Sequence, residues 1–127
     1  MKTARILLIE DDKFLRKACE VSLKKRGLTV LTAIDGEEGL REARANVPDL
    51  ILLDMLMPKM SGLETLEALK KDEQTRNIPV VILSNSSVDS RIQQATALGA
   101  SGYLVKASLS LQELGDRVFS YLKNARA

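Results

Sequence analysis

Leu50-Ile51-Leu52-Leu53-Asp54 is a run of four aliphatic residues that stops on a carboxylate. A strand wetted on one face alternates apolar and polar residues, and this run offers water no face at all. It fits a strand covered on both sides, in a parallel sheet sandwiched between helices. Residues 5–9, 80–83 and 103–105 have the same character, and 29–33 is a more polar version suited to a sheet edge.

Helical patterns fill the gaps between these runs. Leu15, Ala18, Cys19 and Leu23 stand at i, i+3, i+4 and i+8, and Gly27 follows as a C′ residue. Residues 35–45 read as a second helix, stopped before Pro48. Ser61 with Glu64, and Ser110 with Glu113, have the spacing of capping boxes that open a third and a fifth helix. Ile92, Ala95 and Thr96 mark the buried face of a fourth, ended by Gly99, and Leu111, Leu114, Val118 and Leu122 that of the fifth. Strand and helix thus alternate five times. The pattern predicts an α/β fold, (βα)5, with a doubly wound, five-stranded parallel sheet in the flavodoxin-like order 2-1-3-4-5.

The 127 residues read as one domain, 1–127, since domains commonly run to about 100–200 residues. An apolar fraction of 45% and a charged fraction of 28% suit a soluble globular chain. Lys and Arg number 19 against 17 for Asp and Glu, too balanced to predict direct nucleic-acid binding. The apolar run at residues 6–9 is ended by Glu10-Asp11-Asp12, so neither a secretory signal nor a membrane span is expected. A cytoplasmic protein without membrane insertion is the expectation. There is no histidine. The chain therefore cannot build a Ser-His-Asp triad, a His-ligated metal site or a phosphohistidine. Cys19 is its one cysteine and allows no internal disulfide. Met1 suits a natural N-terminus, and the last helix, ending near Lys123, leaves no room for an effector. A stand-alone protein that works by docking is one expectation, and a domain of a longer protein the other.

In an open parallel sheet, ligands gather outside the carboxyl ends of the strands. Those ends collect Glu10, Asp11 and Asp12 after the first strand, Asp54 after the third, Ser84 and Asn85 after the fourth, and Lys106 after the fifth. Carboxylates facing one another need neutralisation, by raised pKa values or by a bound cation. Hard oxygen ligands suit Mg²⁺ or Mn²⁺. Lys106 is a cation that can face the acids and any phosphoryl oxygens, and Ser84 is a candidate donor to such an oxygen. One acid at a strand–helix junction is often only a cap; acids on two separate strand ends are harder to explain that way.

Four segments then stand in a familiar order: residues 6–12, residues 49–62, residues 79–84 and residues 99–106. With Glu10-Asp11-Asp12, Asp54-Met55-Leu56-Met57-Pro58-Lys59, Ser84 and Lys106 in place, the chain resembles the receiver domain of two-component response regulators, of the chemotaxis-regulator-like kind. The resemblance implies that Asp54 is the phosphoacceptor. It implies that Glu10 and Asp11 hold Mg²⁺ (or Mn²⁺), together with Asp54 and the backbone carbonyl of Leu56. Ser84 and Lys106 would contact the phosphoryl group, and Tyr103 would be the aromatic that turns inward after phosphorylation. The implied donor is a phosphohistidine on a sensor histidine kinase or histidine phosphotransfer protein, and the implied output is docking to a downstream protein target. Such a receiver is no enzyme toward other molecules, although it catalyses its own phosphorylation and slow autodephosphorylation.

Two positions depart from the family pattern. The lysine is usually followed by a cis-linked proline, and here by Ala107. A cis bond before a non-proline residue costs about 2.5–4 kcal/mol. A trans bond is therefore predicted, with the Lys106 ammonium shifted from Asp54, Tyr103 less tightly coupled, and residues 108–110 mobile or displaced. Asn85 replaces a small residue and is expected to narrow the approach to Asp54 or to donate a hydrogen bond there. Leu56 would lie over the in-line approach as an apolar group unable to orient water. On the first helix, Phe14, Lys17 and Val21 stand off the core stripe, among Arg16, Lys24 and Lys25, and form a candidate kinase-docking surface.

Three rivals are weaker. A haloacid-dehalogenase-type phosphatase needs a second Asp two residues after the first, where this chain has Leu56. A flavodoxin-like cofactor binder needs a first loop that welcomes phosphate, and Glu10-Asp11-Asp12 repels it. A receiver-like domain used only for contacts would not need the acidic pair, Asp54, Ser84 and Lys106 intact.

Overall fold

The computed structural model describes residues 3–57 and 59–126. Met1, Lys2, Pro58 and Ala127, which the sequence reading included, lie outside the described residues. Five strands alternate with five helices: β1 (Arg5–Ile9), α1 (Lys13–Lys25), β2 (Thr29–Ala33), α2 (Gly36–Asn46), β3 (Leu50–Asp54), α3 (Gly62–Lys71), β4 (Val80–Ser84), α4 (Arg91–Ala97), β5 (Gly102–Val105) and α5 (Leu111–Arg126). The sheet is parallel throughout, in the order β2-β1-β3-β4-β5. This is the order expected from the sequence, with the polar strand β2 at an edge.

The continuous apolar runs follow from burial on both faces. Ile6, Leu8, Leu50, Leu52, Val81 and Leu83 pack with Cys19 and Leu23 of α1 and Leu114, Val118 and Leu122 of α5. Their neighbours Leu7, Ile9, Ile51, Leu53, Val80 and Ile82 point the other way, onto Leu40 and Ala43 of α2, Leu66 and Leu69 of α3, and Ala95 of α4. Each such side chain, buried fully, contributes about 1.5–3 kcal/mol.

Local chemistry fixes the helix ends. Asp12 caps α1, its side chain accepting from the N–H groups of Phe14 and Leu15. Asp35 caps α2 in the same way through Glu38. Ser61 with Glu64 and Ser110 with Glu113 each exchange both bonds of a capping box. Gly27 adopts φ +91°, the left-handed turn that ends α1. Gly62 begins α3 against the end of β3: a Cβ there would fall 2.6 Å from the Asp54 carbonyl oxygen. Glycine lets the helix start that close to the strand.

Two core assignments are corrected. Leu111 is 43% exposed, because the first residue of a helix leans its side chain back past the helix end. Thr96 is exposed as well, its hydroxyl bonded to the Ile92 carbonyl of its own helix. Among the described residues no helix is long and apolar enough to cross a membrane.

Candidate functional site

The parallel register brings four strand ends to one rim. Asp54 is the last residue of β3 and Ser84 the last of β4, one residue further along than the sequence reading placed the strand ends. Glu10 extends β1, its N–H bonded to the Ala33 carbonyl of β2. Glu10, Asp54 and Ser84 are all buried, while Asp11 reaches solvent. Carboxylate oxygens of Glu10, Asp11 and Asp54 lie within 4.8 Å of one another. From the end of β5, Lys106 Nζ comes to 2.8 Å from Asp54 Oδ1 and donates a hydrogen bond to it. The same ammonium pairs with the buried Glu10 Oε1 at 2.8 Å, an oxygen that has no other donor among the described residues. Glu10 Oε2 accepts the Asp12 N–H at 3.1 Å, and Asp54 Oδ1 also accepts the Leu56 N–H at 3.3 Å.

Glu10 and Asp54 thus share one ammonium, with the Asp11 carboxylate beside them. Burial pushes the Asp54 carboxyl up, the Lys106 hydrogen bond pulls it down and the Glu10 charge pushes it up again, leaving it at about 7. For Lys106, burial acts downward, and its contacts with Asp54 and Glu10 outweigh it, so the ammonium holds its proton more tightly than usual. Carboxylates outnumber the ammonium at this rim. A buried oxygen whose one donor is a shared ammonium, an all-oxygen donor set and a carboxyl reluctant to ionise together fit a hard cation.

Comparison with known proteins agrees with this geometry. Residues 6–119 match the family described as the response regulator receiver domain. The chain belongs to that family. It is 41% identical over 120 residues to the transcriptional regulatory protein PrrA of Mycobacterium tuberculosis, covering 94% of this chain and 50% of PrrA. It is 36% identical over 122 residues to hybrid signal transduction histidine kinase D of Dictyostelium discoideum, covering 96% of this chain and 8% of that protein. The chain therefore spans about half the length of relatives such as PrrA. The chemotaxis response regulator CheY4 of Vibrio cholerae superposes with a TM-score of 0.87 at 29% identity, over 95% of this chain and 99% of that one. A receiver domain of Methanospirillum hungatei reaches a TM-score of 0.90 at 22% identity, over 98% of both chains, and shares the fold.

The receiver rim gathers Glu10, Asp11, Asp54 and Lys106 as a set. The Ser84 hydroxyl donates to the Ser86 carbonyl at 2.8 Å and accepts the Ser86 N–H, so it is engaged in its own turn. Tyr103, on β5, is 39% exposed. The Leu56 side chain is 49% exposed beside Asp54.

The expectation about Lys106 is corrected. Among the described residues no peptide bond is cis, as Ala107 predicts, yet the ammonium is not shifted from Asp54. A single 3₁₀ turn at Lys106–Ser108 carries the chain onward, and the long lysine stem still reaches the two buried carboxylates. In residues 108–110, Leu109 packs on the core and Ser110 caps α5. Asn85 is exposed and, among the described residues, makes no side-chain hydrogen bond into the site.

Arg16 was read only as part of the basic surface around Phe14. Its guanidinium instead turns back and donates to the Glu10 carbonyl at 2.8 Å and the Asp11 carbonyl at 3.2 Å. Phe14 itself stands 83% exposed. It lines a groove of about 520 Å³ with Lys17, Val21, Lys25 and Leu111, so Leu111 leaves the core to join the surface first noticed on α1.

Proposed function

We propose that this receiver accepts a phosphoryl group on Asp54 from a phosphohistidine of a sensor kinase or phosphotransfer protein. One observation carries the reading: a buried aspartate at the end of the central strand, bonded to Lys106 and within 4.8 Å of two further carboxylates. Nothing in a merely structural strand end calls for that concentration of charge.

Glu10, Asp11 and Asp54 would hold Mg²⁺ or Mn²⁺, with the Leu56 carbonyl as the further ligand that the family implies. The bound ion would neutralise the carboxylates and the phosphoryl oxygens. The chain's own residues do the rest. An ionised Asp54 oxygen forms the new bond to phosphorus as the phosphorus–nitrogen bond breaks. The bonding pair stays on the departing imidazole, which leaves as a neutral ring after taking up a proton. Lys106 screens the charge that accumulates on the transferred oxygens. The aspartyl phosphate brings added negative charge to a rim already rich in it. Ser84 can leave Ser86 to donate to a phosphoryl oxygen, and the space it vacates admits Tyr103. That exchange biases a two-state surface toward a downstream protein target.

Acetyl phosphate with Mg²⁺ tests this directly. Intact mass should rise by one phosphoryl group in the parent and not in Asp54→Asn. A stable phosphoryl group on Asp54→Asn, or none on the parent, would overturn the assignment.

A further inference from the structure

Three consecutive backbone carbonyls in the acidic loop are occupied by one residue of α1. The Arg16 guanidinium donates to Glu10 O at 2.8 Å and to Asp11 O at 3.2 Å, and the Arg16 backbone N–H donates to Asp12 O at 2.9 Å. Glu10 is closed from the other side, where its carboxylate accepts the Asp12 N–H. Asp12 is spent as the helix cap. The peptide planes at 10–11, 11–12 and 12–13 are therefore each held by a bond to Arg16.

We propose that Arg16 is a positioning residue for the cation site. It acts by fixing the peptide planes that aim the Glu10 and Asp11 carboxylates at Asp54. The proposal rests on the reading of that rim as a cation site. A carbonyl held by a donor fixes the torsion on either side of its plane, and so the direction in which the next Cβ leaves the chain. Glu10 has little freedom of its own, being wholly buried. Asp11 is exposed, so burial does not orient it and the bond to its carbonyl is the restraint that matters most.

Arg16 has a second effect of opposite sign, which makes the idea testable. A guanidinium beside a cation site repels the cation. If charge were all that Arg16 contributed, removing it would tighten cation binding. If positioning dominates, removing it loosens binding, because the two carboxylates must then be ordered when the ion arrives. Two charge-assisted hydrogen bonds to one loop favour the second outcome.

The test is binding of Mn²⁺ alone, followed by electron paramagnetic resonance at alkaline pH. It compares the parent, Arg16→Met and Arg16→Gln, each checked for folding by thermal unfolding. Positioning predicts Mn²⁺ affinity about tenfold weaker in Arg16→Met, the low end of what removing an outer partner of a metal ligand costs. Arg16→Gln, which keeps a side-chain donor without the charge, should lose less, and both losses should persist at high salt. Unchanged or tighter binding in either folded variant overturns the proposal. Should Arg16→Met fail to fold, Arg16→Gln alone decides it. A parent that binds no Mn²⁺ would instead refute the cation-site reading beneath it.

Discussion

Lys106 Nζ stands 2.8 Å from Asp54 Oδ1, joining the last residue of β3 to the first residue past β5 across the width of β4. The contact is the side-chain hydrogen bond that holds down the proton affinity of a carboxyl that burial raises. Lys106→Ala should therefore push the Asp54 carboxyl further above about 7. Labelling by acetyl phosphate should slow at neutral pH and recover as the pH is raised. The link from the rim to Tyr103 should be lost even when the label is attached. Tyrosine fluorescence reports this, since the chain has two tyrosines and no tryptophan. A labelled variant whose emission still changes as the parent's does would contradict it.

The raised carboxyl of Asp54 makes stability depend on pH with a definite sign. Its ordinary value is 3.8, and in the fold it lies at about 7. The folded state therefore binds the proton more tightly, a stabilisation that is complete below pH 3.8 and lost as pH rises through about 7. Asn cannot titrate. Without divalent ions, Asp54→Asn should gain stability over the parent by up to about 4 kcal/mol on going from about pH 4 to pH 8. Mg²⁺ should then stabilise the parent and leave the variant unmoved. Urea unfolding at both pH values measures the gap, and one that narrows at alkaline pH would reverse the argument.

Phe14 separates the two routes to the phosphoryl group. Acetyl phosphate needs only the rim, whereas a phosphohistidine protein must also dock. Phe14→Ala removes the most exposed apolar side chain on α1 without opening the core. Transfer from a phosphohistidine protein should slow by about tenfold, as for an interface anchor worth more than 1 kcal/mol, with the acetyl phosphate rate retained. Equal slowing with both donors would refute the docking role. Stopped-flow transfer and intact mass give the two rates.

Leu56 bears on how long the phosphoryl group lasts. Its half-exposed side chain beside Asp54 presents no polar atom to orient an attacking water. Leu56→Asn supplies one and should shorten the half-life of the phosphorylated form by about tenfold, modest against what a positioned polar group can contribute. Loss of phosphoryl label with time measures it. A variant that decays no faster than the parent would count against the reading.

The sheet was legible because burial on both faces writes itself into composition. In residues 50–53 there is no polar position to mistake for a solvent face. The strand ends were less legible. Asp54 and Ser84 belong to the ladder, because backbone pairing continues wherever a neighbour strand does, whatever the side chain. Glu10, Asp11, Asp54 and Lys106 could be foreseen at one rim from strand order alone. The reach of Lys106 could not, since it depends on how a 3₁₀ turn points a flexible stem. Arg16 was misread for a similar reason. Its spacing placed it among the surface basic residues, and only the path of the loop turned it back onto two carbonyls.

All five residues of β3 are buried, whereas the Phe14 groove lies on the outer face of α1. Reactivity and partner choice are thus written in different parts of the chain. A substitution at 50–54 disturbs packing on both sides of the sheet as well as the acceptor. One at 14, 17 or 21 alters what a visiting protein touches and leaves the sheet as it was. On the proposed reading, a change on the helix exterior can alter the partner while the buried carboxylate stays as it is.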